Sequence, residues 1–239
     1  IVPIVTSFEK ERKDKLKLEY YKCWDTQVDP NGLEPLKPFK DGKELIDRSI
    51  KCFFELRPYF GDCLSTMKEM KHLDLESKKG KAPGGFMYPS YEIGVPFIYM
   101  NAVGSQRDIV TMLHEGGHAV HSFLSRDLEM TEFKSTPSEV AELASMSMEL
   151  LTMDNWDIFY NNENELKRAK KEQLEKVLSG LPWIAAIDKF QHWIYTNEHT
   201  AEQRREEWLK ISNELGNQVI DWNGEEDILA SQWQSQLHL

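Results

Sequence analysis

With 239 residues, 40% of them hydrophobic and 29% charged, the chain has the make-up of one large globular domain or two small ones. A formal net charge of −11 opposes nonspecific nucleic-acid binding, which needs a basic face. No run approaches the roughly 18 apolar residues of a transmembrane helix, so no membrane association is expected.

Taken in chain order, residues 6–24 are charged and helix-compatible, and 25–42 read as a long connection through Pro30, Gly32, Pro35, Pro38 and Gly42. Residues 43–73 return to helical periodicity at Leu45, Ile46, Ile50, Phe53 and Phe54, interrupted at Pro58 and continued by Leu64, Met67 and Met70. Residues 78–104 form a small β region. A glycine-rich turn at Lys79–Gly85 precedes two aromatic, β-branched runs, Phe86–Tyr91 and Val95–Met100, which predict a hairpin or edge sheet. The turn lacks the G-x-x-x-x-G-K-[ST] pattern, which excludes a phosphate loop. From Ser105 the chain is predicted helical nearly throughout, at about 106–125, 137–154, 162–179, 181–196 and 201–215. Trp183, Trp193, Trp208, Trp222 and Trp233 fall in this part and are expected to pack a helical core.

Cys23, Cys52 and Cys63 are odd in number and lack C-x-x-C spacing, so neither a disulfide framework nor a structural zinc site is expected. Reduced thiols of this kind fit a cytoplasmic setting. A chain that begins with Ile1 reads as a fragment or processed product.

The chemistry concentrates in His114-Glu115-Gly116-Gly117-His118, an H-E-x-x-H run. With this composition, about 0.02 chance matches are expected in a chain of this length. Helical spacing puts His114 and His118 one turn apart on one face, where two imidazoles can bind one Zn²⁺. Glu115 sits beside the pair as the candidate general base. Ser105 and Asp108 form a capping pair for this helix.

Catalytic zinc sites use three protein ligands and keep a fourth position open, so a third ligand is expected downstream. The extended form, with glycine and histidine three and six residues past His118, is excluded, because His121 and Leu124 stand there. A glutamate on a second helix is the other common solution. Thr136-Pro137-Ser138-Glu139 predicts such a helix, with Thr136 as N-cap, Pro137 at N1 and Glu139 at N3. Glu142, Ser145 and Glu149 then share one face. The apolar residues around them (Val140, Leu143, Met146, Leu150 and Leu151 among others) predict a mostly buried helix. A carboxylate buried there needs a partner, and a metal supplies one, so Glu142 is the predicted third ligand. Glu149 is expected to orient a ligand histidine. Ser145 either hydrogen-bonds in the site or lets the helices approach. His121 is expected to be a packed histidine.

The run His114–His121, followed by Ser138–Ser145, resembles the oligoendopeptidase F branch of the thimet oligopeptidase-like zinc peptidases. Leu73–Ser77, Gly80–Gly85, Pro96–Asn101 and the segment from Pro182 to Tyr195 agree with it. The resemblance implies a mainly α, multi-helix zincin-type catalytic domain over 1–239, with a small β-sheet before the H-E-x-x-H helix and a helical active-site portion at 105–239. It implies a zinc-dependent endopeptidase with one Zn²⁺ per chain, acting on short peptides. His114, His118 and Glu142 would be the ligands and Glu115 the base. It further implies that the strand at 95–101 pairs with substrate backbone. His238 matches a family histidine that stabilises the oxyanion, while the tyrosine-rich segment that follows it in the family does not follow Leu239 here. The alternative is a zinc-binding, inactive fragment that only binds peptides.

Overall fold

The computed structural model describes residues 1–236. Its helices are α1 (Val2–Leu16), α2 (Gly42–Leu56), α3 (Pro58–Glu69), α4 (Gln106–Ser125), α5 (Thr131–Lys134), α6 (Ser138–Leu151), α7 (Glu163–Thr196), α8 (Ala201–Leu215) and α9 (Glu226–Ser231). Three strands, β1 (Leu73–Glu76), β2 (Gly85–Tyr88) and β3 (Phe97–Ala102), lie between α3 and α4. The fold is therefore mainly α with a small sheet ahead of the H-E-x-x-H helix, as the sequence predicts. No helix among the described residues is long and apolar enough to cross a membrane.

The chain divides into two compact units, residues 35–170 and residues 1–34 with 171–239. In the first unit, Asp41 caps α2 by accepting the Glu44 backbone N–H at 2.7 Å. The apolar face of α2 buries Leu45, Ile46, Cys52 and Phe53. Pro58 ends that helix because the residue before a proline is driven out of the helical region. Arg57 is extended (φ −163°, ψ 127°), and Pro58 then opens α3.

β1 was not predicted. Leu73–Glu76 continues an apolar stripe from α3 and is too short for its period of two to register, yet it pairs parallel with β3. β2 pairs antiparallel with β3, in register from Gly85↔Met100 to Tyr88↔Phe97. The sheet order is β1-β3-β2. Both edges of β3 are thus occupied, which overturns the expectation that the strand at 95–101 receives a substrate backbone. Among the described residues, the unpaired edges belong to β1 and β2.

The Ser105/Asp108 capping box opens α4 as predicted. Asp108 N–H donates to Ser105 Oγ at 3.4 Å and Ser105 N–H donates to Asp108 Oδ2 at 2.8 Å. α4 is buried almost all round, at Ile109, Val110, Met112, Leu113, Glu115, Gly116, Gly117, Ala119, Val120 and Phe123. It packs against α2, α3, the sheet and α6.

α6 departs from expectation twice. Pro137 keeps an extended ψ of 146°, so the helix begins one residue late, and no side chain caps it. Neither Thr136 as N-cap nor Pro137 at N1 holds. Nor is α6 mostly buried, and the burial expected of Glu142 does not hold, its side chain being 51% exposed. Ser145, Met148 and Glu149 face inward, while Leu143 (68% exposed), Val140, Leu150 and Leu151 stay open.

The second unit holds α1, most of α7, then α8 and α9. The two helices predicted at 162–179 and 181–196 are one, running through Pro182. An aromatic core bears out the tryptophan reading for Trp183, Trp193, Trp208 and Trp233, while Trp222 lies outside it. Phe190 and Trp208 are fully buried with ring centroids 5.1 Å apart, and Trp183, Trp193 and Trp233 pack around them. Trp208 Nε1–H donates to the Leu229 carbonyl at 2.8 Å, satisfying its buried donor.

Candidate metal centre

α4 presents His114 and His118 on one face, their rings edge to face with centroids 4.8 Å apart. α6 lies alongside and brings Glu142 to both. Glu142 Oε2 is 3.2 Å from His114 Nε2, and Oε1 is 3.6 Å from His118 Nε2. One donor atom from each of the three residues falls within 4.8 Å of the others, forming the one such group among the described residues. His121 is not part of it.

A hydrogen bond behind the site orients one of the candidate ligands. His114 Nδ1 is 2.7 Å from Glu149 Oε1. The Nδ1–H of His114 donates to this carboxylate, which leaves Nε2 as the ring atom turned toward Glu142. A bound metal ion would take Nε2 of His114 and His118 and the Glu142 carboxylate as donors, with His114 held from behind by Glu149. The separations of 3.2 and 3.6 Å bracket the ligand spacing of about 3.3 Å that tetrahedral coordination with bonds near 2.0–2.1 Å requires. The residues present fit a metal ion.

Glu149 is 9% exposed and holds His114 from behind, as the sequence predicts. Ser145, fully buried, serves both roles weighed for it. Its Oγ lies 3.0 Å from the Glu142 carbonyl and 3.2 Å from Glu142 Oε2, and the helices approach closely at its Cα. Glu149→Gln is expected to weaken zinc binding about 10- to 100-fold, because the amide is a poorer acceptor for the Nδ1–H and lowers ligand basicity. Competition against a chromophoric chelator reads this directly, and an unchanged affinity would remove Glu149 from the site.

Glu115 is 6% exposed and stands beside the cluster without joining it. Burial pushes its carboxyl up to about 7, with His114 opposing and the charge of Glu142 adding; the backbone of Met87 in β2 holds it down. For His114, burial pulls downward, but the Glu149 hydrogen bond and the surrounding carboxylates outweigh it and raise the ring's pKa. His118 is lowered by burial and by the charge of His114.

Sequence reasoning missed two participants. One is β2, which packs against α4 and whose Met87 backbone lowers the proton affinity of Glu115 against its burial. The other is Gly117, whose signal was the cost of glycine in mid-helix, about 1 kcal/mol against alanine. A Cβ on Gly116 would lie 2.6 Å from Phe53 Cζ, and one on Gly117 would lie 2.9 Å from Ser145 Cα. His238 lies outside the described residues.

Comparison with known proteins agrees with this geometry. Residues 59–238 match the model of peptidase family M3, and the chain belongs to that family. It is 27% identical to oligopeptidase PepF of Bacillus subtilis (strain 168) over 169 residues, and 23% identical to the chromosomal oligoendopeptidase F of Lactococcus lactis subsp. cremoris over 164 residues. These alignments cover 70% and 69% of this chain but only 25% and 27% of the relatives. The solved structure of PZ peptidase A with an inhibitor superposes with a TM-score of 0.89 at 31% identity, over 100% of this chain and 42% of that one.

Proposed function

We propose that this chain carries the catalytic centre of a zinc-dependent endopeptidase that hydrolyses internal bonds of short peptides. The observation that carries the reading is the convergence of His114, His118 and Glu142 within 4.8 Å, with the buried Glu115 next to them. His114, His118 and Glu142 would hold one Zn²⁺, and the fourth position is left for substrate. When bound, zinc supplies Lewis acidity towards a water and a scissile carbonyl.

Glu115 takes the proton of the attacking water and passes it to the leaving amine. Its low exposure keeps it in a setting of raised proton affinity, where both transfers are accessible. Glu149 fixes the tautomer of His114, so that Nε2 offers its lone pair. Substrate binding falls to β2 rather than β3. Among the described residues β2 has one unpaired edge, its Met87 backbone acts on the Glu115 carboxyl, and Phe86 and Tyr88 project exposed rings. A peptide added to that edge would bring its carbonyls past the base.

The test is incubation of the zinc-loaded protein with unstructured peptides, with products mapped by mass spectrometry. Cleavage at internal bonds is expected. Stoichiometric zinc without cleavage at high protein concentration would overturn the endopeptidase reading and leave a zinc-binding fragment that only holds peptides.

A further inference from the structure

We propose that Gly117 is a positioning residue that sets the distance between the two helices supplying the metal ligands. The inference rests on the metal reading above. Gly117 precedes His118 in α4 and faces α6. A Cβ at this position would lie 2.9 Å from Ser145 Cα, 3.0 Å from Met148 Cβ and 3.5 Å from the Ala144 carbonyl oxygen. Two of these atoms are backbone and the third is fixed to it, so none can swing aside. Only retreat of α6 makes room for a methyl group.

That retreat acts directly on the site. Ser145 is one turn after Glu142, and its hydroxyl lies 3.2 Å from the carboxylate. Moving the backbone at 145 outward carries Glu142 with it, lengthening its separations of 3.2 and 3.6 Å from His114 and His118. Glycine is a poor residue for mid-helix, so its presence trades helix propensity for this close approach.

Gly116 supplies a matched control. A Cβ there meets Phe53 Cζ at 2.6 Å, a side-chain ring of α2 rather than α6. Alanine at 116 strains the core without changing the reach between α4 and α6.

The experiment compares Gly117→Ala and Gly116→Ala with the parent protein. Zinc affinity is measured by chelator competition, coordination by the cobalt(II) electronic spectrum, and stability by thermal melting. Gly117→Ala is expected to bind zinc about 10- to 100-fold more weakly, the range seen when support of a ligand is lost, and to alter the cobalt spectrum. Gly116→Ala is expected to melt earlier while keeping the parent zinc affinity. Unchanged zinc affinity in Gly117→Ala, or equal weakening in both variants, overturns the inference and leaves the metal site standing. A parent protein that binds no zinc overturns both. If Gly117→Ala does not fold, Glu142→Asp shortens the reach by one methylene with the helices in place. It should show the same weakening, and parent-like affinity there overturns the inference.

Discussion

Replacing Glu115 with glutamine is expected to lower peptide hydrolysis by about 10²- to 10⁴-fold while zinc stays bound. The substitution conserves shape and volume in a buried position, so the packing of α4 is preserved. What it removes is the capacity to take a proton. Because Glu115 stands outside the group formed by His114, His118 and Glu142, metal content is not expected to change. The measurement is steady-state cleavage of a quenched peptide beside a zinc assay on the same sample. Hydrolysis at the parent rate would show that some other group moves the proton.

The second large effect is expected at His118. Its side chain is 14% exposed and its Nε2 is one of three converging donors. His118→Ala leaves two, fewer than catalytic zinc sites employ. The metal also ties α4 to α6, so binding stabilises the folded chain. At a free zinc concentration of 100 Kd the gain is about 2.7 kcal/mol. The parent protein should therefore melt at a higher temperature when zinc is added, and His118→Ala should not. A zinc-dependent rise of equal size in the variant would mean that the ion binds elsewhere.

The parts of this site legible in the sequence are those fixed by local geometry. His114, Glu115 and His118 lie within one helical turn, and the α-helical period alone puts the two histidines together. Glu142 and Glu149 were legible as one face of a second helix, and the structure brings both to the histidines. What was not legible depends on partners distant in sequence. The stacking of Gly116 on Phe53 and of Gly117 on Ser145 joins residues 63 and 28 positions apart along the chain. Leu73–Glu76 is a strand only because β3 offers it an edge. That pairing in turn moves the predicted substrate edge from β3 to β2. The start of α6 was misread for a local reason. Pro137 satisfies either an N1 or an extended position, and its ψ of 146° places it outside the helix. The exposed apolar side of α6 was hidden too, since an apolar pattern records which residues avoid water and not which neighbour covers them.

The most direct test of the account is the zinc content of the protein, by elemental analysis after reconstitution and desalting. The account predicts one zinc per chain in the parent and loss of that zinc in His118→Ala. A parent protein that retains no zinc would contradict the metal centre and, with it, the peptidase mechanism built on it.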